Sequence, residues 1–145
     1  MKVLLLILTA FTISCAQERR SPILVRALND NTIAIRGSIV TILNEGFRYD
    51  YYDIHEKDSH FQKLTAWGYQ GGGPSWTGII YGAIQLSDPN ILAKIRFDEE
   101  AEGLIIWCGD TDILNKIGRL VAVVKSNDKI LRECIEVAES RFQME

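Results

Sequence analysis

Ile95-Arg96-Phe97-Asp98-Glu99-Glu100-Ala101-Glu102-Gly103-Leu104-Ile105-Ile106-Trp107-Cys108 is the stretch on which the fold turns. Apolar and polar residues alternate from Ile95 to Phe97, which predicts a strand; the acidic residues and Gly103 turn the chain back. Leu104 to Cys108 is the most apolar run beyond the N-terminal segment and predicts a central strand. Two helices follow it. Asp110 or Thr111 caps the first, with Ile113, Leu114, Ile117, Leu120, Val121 and Val124 on one face. Asp128 starts the second, with Ile130, Leu131, Cys134, Ile135 and Ala138 turned inward. On the other side of the hairpin, Trp76, Ile79, Ile80, Ala83 and Ile84 recur at helical spacing. Gly78 and Gly82 in that helix predict close approach to a sheet.

Nearer the N-terminus the pattern is of strands and turns. Ser38-Ile39-Val40-Thr41-Ile42-Leu43 is rich in β-branched residues, with Asn29-Asp30-Asn31 and Asn44-Glu45-Gly46 as turn signals. Ile23-Leu24-Val25 and Thr32 to Ile35 read as further strands of an antiparallel meander, and Tyr49, Tyr51, Tyr52 and Ile54 continue it. His55 to Gln62 is polar and reads as a loop. Strands early and helices late predict a single α+β domain over residues 23–145, an antiparallel sheet with helices packed on one face.

The first residues are of another kind. After Lys2, Val3 to Ile13 carries no charge, and 11 residues span about 16 Å as a helix, half of a hydrocarbon core of about 30 Å. A basic start, a short apolar run and small residues at its end predict a signal peptide over residues 1–16. Gln17 to Pro22 reads as a short polar tether. Thr12-Ile13-Ser14-Cys15 resembles a bacterial lipobox, with Thr12 where leucine is usual, and implies lipidation of Cys15. Ser14-Cys15-Ala16 also fits the small-x-small rule of ordinary signal peptidase. The two readings predict a periplasm-facing lipoprotein anchored in the envelope membrane and a soluble periplasmic or secreted protein, respectively. Either way Cys108 and Cys134 remain in an oxidising compartment. They can pair, closing a loop worth about 3–4 kcal/mol, or stay as two buried thiols.

Charge and motifs exclude several classes of function. The whole chain has a net charge of -3; losing residues 1–15 removes only Lys2, leaving 15 basic and 19 acidic residues, net -4. An acidic domain repels phosphate backbones, so no nucleic-acid partner is expected. There is no Gly-x-Ser-x-Gly elbow, and Cys108 lies in an apolar strand that disfavours its thiolate, so no catalytic residue is assigned. The glycines from Gly68 to Gly73 lack the Lys-Ser/Thr of a P-loop. His55 and His60, with Asp53, Glu56 and Asp58 near them, sit five residues apart, on neither one helix face nor one strand face. They read as solvated loop residues, and no metal or cofactor is assigned.

Gly68-Tyr69-Gln70-Gly71-Gly72-Gly73-Pro74-Ser75-Trp76, a helix, and then Ile95 to Ala101 before an apolar strand resemble the immunity protein 51 family of bacterial polymorphic toxin systems. The resemblance runs from about Gly68 to Ala138. It rests on a glycine-rich approach to a Trp-led helix and on a Phe-Asp-x-Glu-Ala turn, which place Trp76, Phe97, Asp98, Glu100 and Ala101. It implies an α+β protein that binds and blocks a cognate protein toxin and is not an enzyme. Trp76, Phe97 and Ala101 are the structural members of the motif. Asp98, Glu99, Glu100 and Glu102, with Asp110, Trp67 and Tyr69, are the expected partner contacts, because carboxylates speed encounter with a basic surface and aromatic anchors carry interface energy. The alternative from another class is a small envelope lipoprotein with a structural or ligand-binding role.

Overall fold

A computed structural model describes residues 19–145. The signal peptide of residues 1–16 and the lipidation of Cys15 lie outside the described residues. The sheet has four antiparallel strands in the order β1-β2-β4-β3: β1 (Ser38–Ile42), β2 (Gly46–Tyr51), β3 (Ile95–Glu99) and β4 (Leu104–Cys108). The central strand expected at Leu104 to Cys108 is β4, paired to β2 on one side and β3 on the other. Tyr49 faces Ile106 and Tyr51 faces Leu104 across that pairing, and all four are buried. Helices α3 (Gly73–Gln85) and α4 (Thr111–Ser126) pack on this inward face, and α5 (Asp128–Ser140) packs against both. The architecture is the α+β one expected from the sequence. Among the described residues no helix is long and apolar enough to cross a membrane.

The late helices form as their spacing dictates. Every inward residue expected on α4 and α5, from Ile113 to Ala138, is buried. Asp110 is the cap of α4, its carboxylate accepting the Asp112 N–H at 2.8 Å, and Asn127 caps α5. Gly78 and Gly82 meet other neighbours than the sheet. A Cβ on Gly82 would lie 2.1 Å from the Cys134 carbonyl oxygen, and one on Gly78 would lie 2.3 Å from that of Gln143. These glycines bring α3 onto α5 and the C-terminal segment.

Three expectations for the segment before β1 need correction. Ile23-Leu24-Val25 is helical, within α1 (Pro22–Ala27), because Ser21 caps it and Pro22 takes the first turn, where its missing N–H costs nothing. Thr32 to Ile35 is not a strand, and among the described residues the meander has only β1 and β2 before α3. The residues read as a polar tether are partly docked. Ser21 is buried and donates its N–H to the Leu86 carbonyl at 2.7 Å, and Arg19 lies 3.5 Å from Glu133. Arg119 of α4 ties α1 down by donating to the Ala27 carbonyl at 3.0 Å and the Leu28 carbonyl at 2.5 Å, satisfying acceptors that a helix end leaves open.

His55 to Gln62 is only in part the solvated loop expected: His55, Lys57, Asp58 and Gln62 are exposed, while its two ends are ordered and His60 turns inward. Asp53 to His55 is one turn of 3-10 helix, Phe61–Ala66 is α2, and Asp53 and His60 are buried. The Asp53 carboxylate accepts from Lys125 Nζ at 2.5 Å, the His60 N–H at 2.8 Å, and the Tyr51 and Ser59 hydroxyls at 3.1 Å each. Lys125 itself donates to the Asp58 carbonyl at 2.6 Å and stands 5.8 Å over the Trp76 ring. Burial and the Asp53 charge both push the Tyr51 hydroxyl's pKa upward. Among the described residues no group of three or more His, Cys, Asp or Glu side chains can hold a metal ion.

Candidate partner-binding surface

The two sequence motifs meet in space. Gly73 donates its N–H to the Ala101 carbonyl at 3.0 Å, and Gln70 reaches the same oxygen at 3.5 Å. A Cβ on Gly73 would lie 1.9 Å from the Glu100 carbonyl oxygen, so only glycine lets the loop lie flat on the acidic turn. The Gly68 to Gly73 loop therefore serves as the seat of the β3–β4 turn. Trp76 follows on α3, buried and edge-on to Tyr51 with ring centroids 5.3 Å apart. Phe97 faces inward and packs on the core.

Glu100, Ala101 and Glu102 are exposed at that turn. With Pro74, Thr77 and the C-terminal segment, Glu100 and Ala101 border a groove of about 490 Å³, where Phe142 is 95% exposed and Glu145 adds a second carboxylate. The groove is acidic with an apolar lip. The other expected contacts lie elsewhere. Trp67 is half-buried with the Arg132 guanidinium 3.9 Å over its ring, and the Tyr69 hydroxyl donates to the Glu139 carboxylate. Burial and that carboxylate raise the Tyr69 pKa to about 12. These two aromatics line a shallow groove of about 360 Å³ against α5. Asp110 sits at the far end of β4 from the turn, roughly 13 Å along the strand, and is engaged as a helix cap. The expected contacts form separate patches.

Asp98 belongs to a third patch that sequence reasoning did not identify. Antiparallel pairing sets Arg48, Trp107 and Arg96 side by side across β2, β4 and β3, on the face opposite the helices. Both guanidiniums stand over the Trp107 ring, Arg48 at 5.7 Å and Arg96 at 5.4 Å from its centroid. The Trp107 indole N–H donates to Asp98 at 3.1 Å. Asp50 holds Arg48 with two bonds, at 2.7 and 2.8 Å, which keeps the Arg48 pKa raised. The sequence did contain a signal. Ile106 and Trp107 are neighbours in a strand, so one of them must leave the core, and the polar residues alternating at Arg48, Asp50, Arg96 and Asp98 mark which face it leaves to.

Cys108 and Cys134 are both free and buried, which corrects the pairing left open by their spacing. Cys108 donates its thiol to the Lys94 carbonyl at 3.3 Å at the end of β4, while Cys134 lies on α5 against Gly82. Burial pushes the Cys134 thiol up to about 12.

A small α+β body with buried polar groups tied into its frame and aromatic, arginine and carboxylate patches outside it has the make-up of a protein-binding module. The family model described as immunity protein 51 matches residues 46–140, and the chain belongs to that family. The match starts at β2, earlier than the Gly68 from which the motifs could be followed. No curated protein and no solved structure matches the chain.

Proposed function

We propose that this protein neutralises a cognate bacterial toxin by binding it, and that it does so at the cell envelope as an exported lipoprotein. The observation that carries the reading is the family match over residues 46–140, which takes in β2, the glycine loop, the acidic turn and the late helices. Immunity proteins act by occupying a toxin rather than by catalysis. The patches described above supply what occupation needs: aromatic and arginine anchors held in place by neighbouring carboxylates.

Export rests on the apolar run after Lys2, and anchoring on Cys15. Four residue steps separate Cys15 from Arg19, at most about 14 Å of chain, and Arg19 is already docked on α5 through Glu133. A lipid on Cys15 would therefore hold the body close to the bilayer. An immunity protein placed there meets its toxin in the periplasm, which favours a cell-wall-cleaving or membrane-damaging toxin as the target.

The test is protection. Cells producing the toxin domain in the periplasm should survive when the full chain is co-produced and die when Cys15→Ala and a deletion of Val3 to Ile13 keep it inside. Death of cells carrying the full chain would remove the toxin-neutralising reading. Equal survival with the retained form would remove the envelope part of it.

A further inference from the structure

The geometry points to the helix-free face of the sheet as the surface that grips the toxin, with the Arg48–Trp107–Arg96 stack as its centre and a carboxylate-bearing loop of the toxin as its ligand. This rests on the toxin-neutralising reading and names the contact surface and the chemistry it takes.

Three features of the face support it. The first is composition: one tryptophan between two arginines, bordered by half-buried Val40 and Ile42 of β1. Tryptophan and arginine are the residues most enriched among interface anchors. The second is preorganisation. Trp107 is held by its N–H bond to Asp98 and by a guanidinium on each side, and Arg48 is fixed by a two-bond pair with Asp50. Side chains already ordered lose less entropy on binding.

The third is charge. Each arginine on the face has an aspartate, yet in both pairs the cation is the more exposed partner. Side-chain exposure is 33% for Arg48 against 12% for Asp50, and 64% for Arg96 against 43% for Asp98. The aspartates lie down on the sheet and the guanidiniums stand above them. Arg96 reaches Asp98 only at 3.9 Å, so its donors face outward with little to hold. Beside it a groove of about 530 Å³ runs along Lys94, Arg96 and Trp107, with Glu45 at its far wall. In a chain of net charge -3, the charges of this face balance, and its guanidiniums stand further into the solvent than the carboxylates paired with them. The face complements an acidic loop, whose carboxylate can take the free edge of the Arg96 fork while its backbone or an apolar neighbour lies on Trp107. The acidic turn at Glu100 and Glu102 then has no contact role.

The probe is the purified toxin domain against which the full chain protects, titrated with wild-type and variant immunity protein. Arg96→Glu and Trp107→Ala should each weaken binding by about 30-fold or more, the size of a hot-spot loss. Arg96→Lys should keep part of the affinity. Glu100→Lys/Glu102→Lys should stay within about threefold, as rim charges do. Arg96 is exposed, so its variants stay folded even if loss of Trp107 disturbs the sheet. Wild-type-like binding by Arg96→Glu would overturn the assignment, as would a larger loss from the acidic-turn variant, and both leave toxin neutralisation standing. A wild-type dimer dispersed by Arg96→Glu in sedimentation would overturn it in favour of contact between two copies. Absence of wild-type binding would strike the toxin-neutralising reading itself.

Discussion

Two tryptophans in this protein sit beside cations and carboxylates, and their surroundings send the same chemistry to opposite ends. Trp76 lies in the core with Lys125 over its ring, and Lys125 is bonded to buried Asp53. Trp107 lies on the outer face of the sheet with two arginines over its ring, and its N–H is bonded to Asp98, which remains 43% exposed. In the first, removal of water makes every unpaired charge costly, so the charges are paired: Asp53 accepts four hydrogen bonds and Lys125 is wholly buried, although the Trp76 and His60 ring nitrogens Nε1 and Nε2 are left without partners. In the second, water satisfies whatever is left over, and the cations keep donors free for a ligand. Burial makes the one a clamp on the fold, and exposure makes the other available for recognition.

Removing one cation from each region separates the two roles most sharply. Lys125→Met leaves the Asp53 carboxylate buried without its counter-ion, and loss of one member of such a pair costs about 3–5 kcal/mol. Arg96→Met deletes an exposed pair at 3.9 Å and should change stability by under about 1 kcal/mol. Urea unfolding of both variants measures the contrast. If the two midpoints move by similar amounts, the division into clamp and recognition surface is wrong. A Lys125→Met protein that keeps wild-type stability would show that the buried pair is not a clamp on the fold.

Asp110 tests the same division at one residue. Its charge made it a candidate contact, and its place makes it the cap of α4. Asp110→Ala should therefore lower stability by about 1 kcal/mol, the usual cost of losing such a cap, while toxin affinity is unchanged. Asp110→Asn, which can still accept the Asp112 N–H, should recover most of the loss. An affinity loss with unchanged stability would move Asp110 into the interface.

The regions also differ in how far the sequence showed them. The faces of α4 and α5 were legible because a helical period of apolar residues needs no knowledge of what it packs against. Helix α1 could have been read from Ser21 and Pro22 but was obscured by the short β-branched run beside them. The Asp53–Lys125 clamp could not be read. Its members stand 72 residues apart, and a polar stretch folded inward has the composition of one left in water. Trp107 was hidden for the opposite reason. Ile105 and Cys108 are apolar on both faces of β4, which masked the alternation, and only the register to Arg48 and Arg96 shows which way the indole turns.

Asp58 stands between the two regimes and should give the smallest effect. Its carbonyl oxygen is part of the clamp, accepting from Lys125, while its carboxylate is 51% exposed and held by Arg36 through two bonds at 2.8 and 2.9 Å. The Arg36 bonds, with help from the nearby Lys125 charge, lower the Asp58 pKa below the ordinary 3.8. A carboxyl that is harder to protonate when folded stabilises the protein above its unfolded pKa and loses that contribution as pH falls through the folded one. Wild type should thus lead Asp58→Asn at pH 6, by less than about 1 kcal/mol because solvent screens a half-exposed pair. The gap should close as pH falls below about 4, and 0.5 M salt should shrink it at every pH. A gap that does not narrow at all as pH falls below about 4 would mean that the charge on the Asp58 carboxylate is not its source.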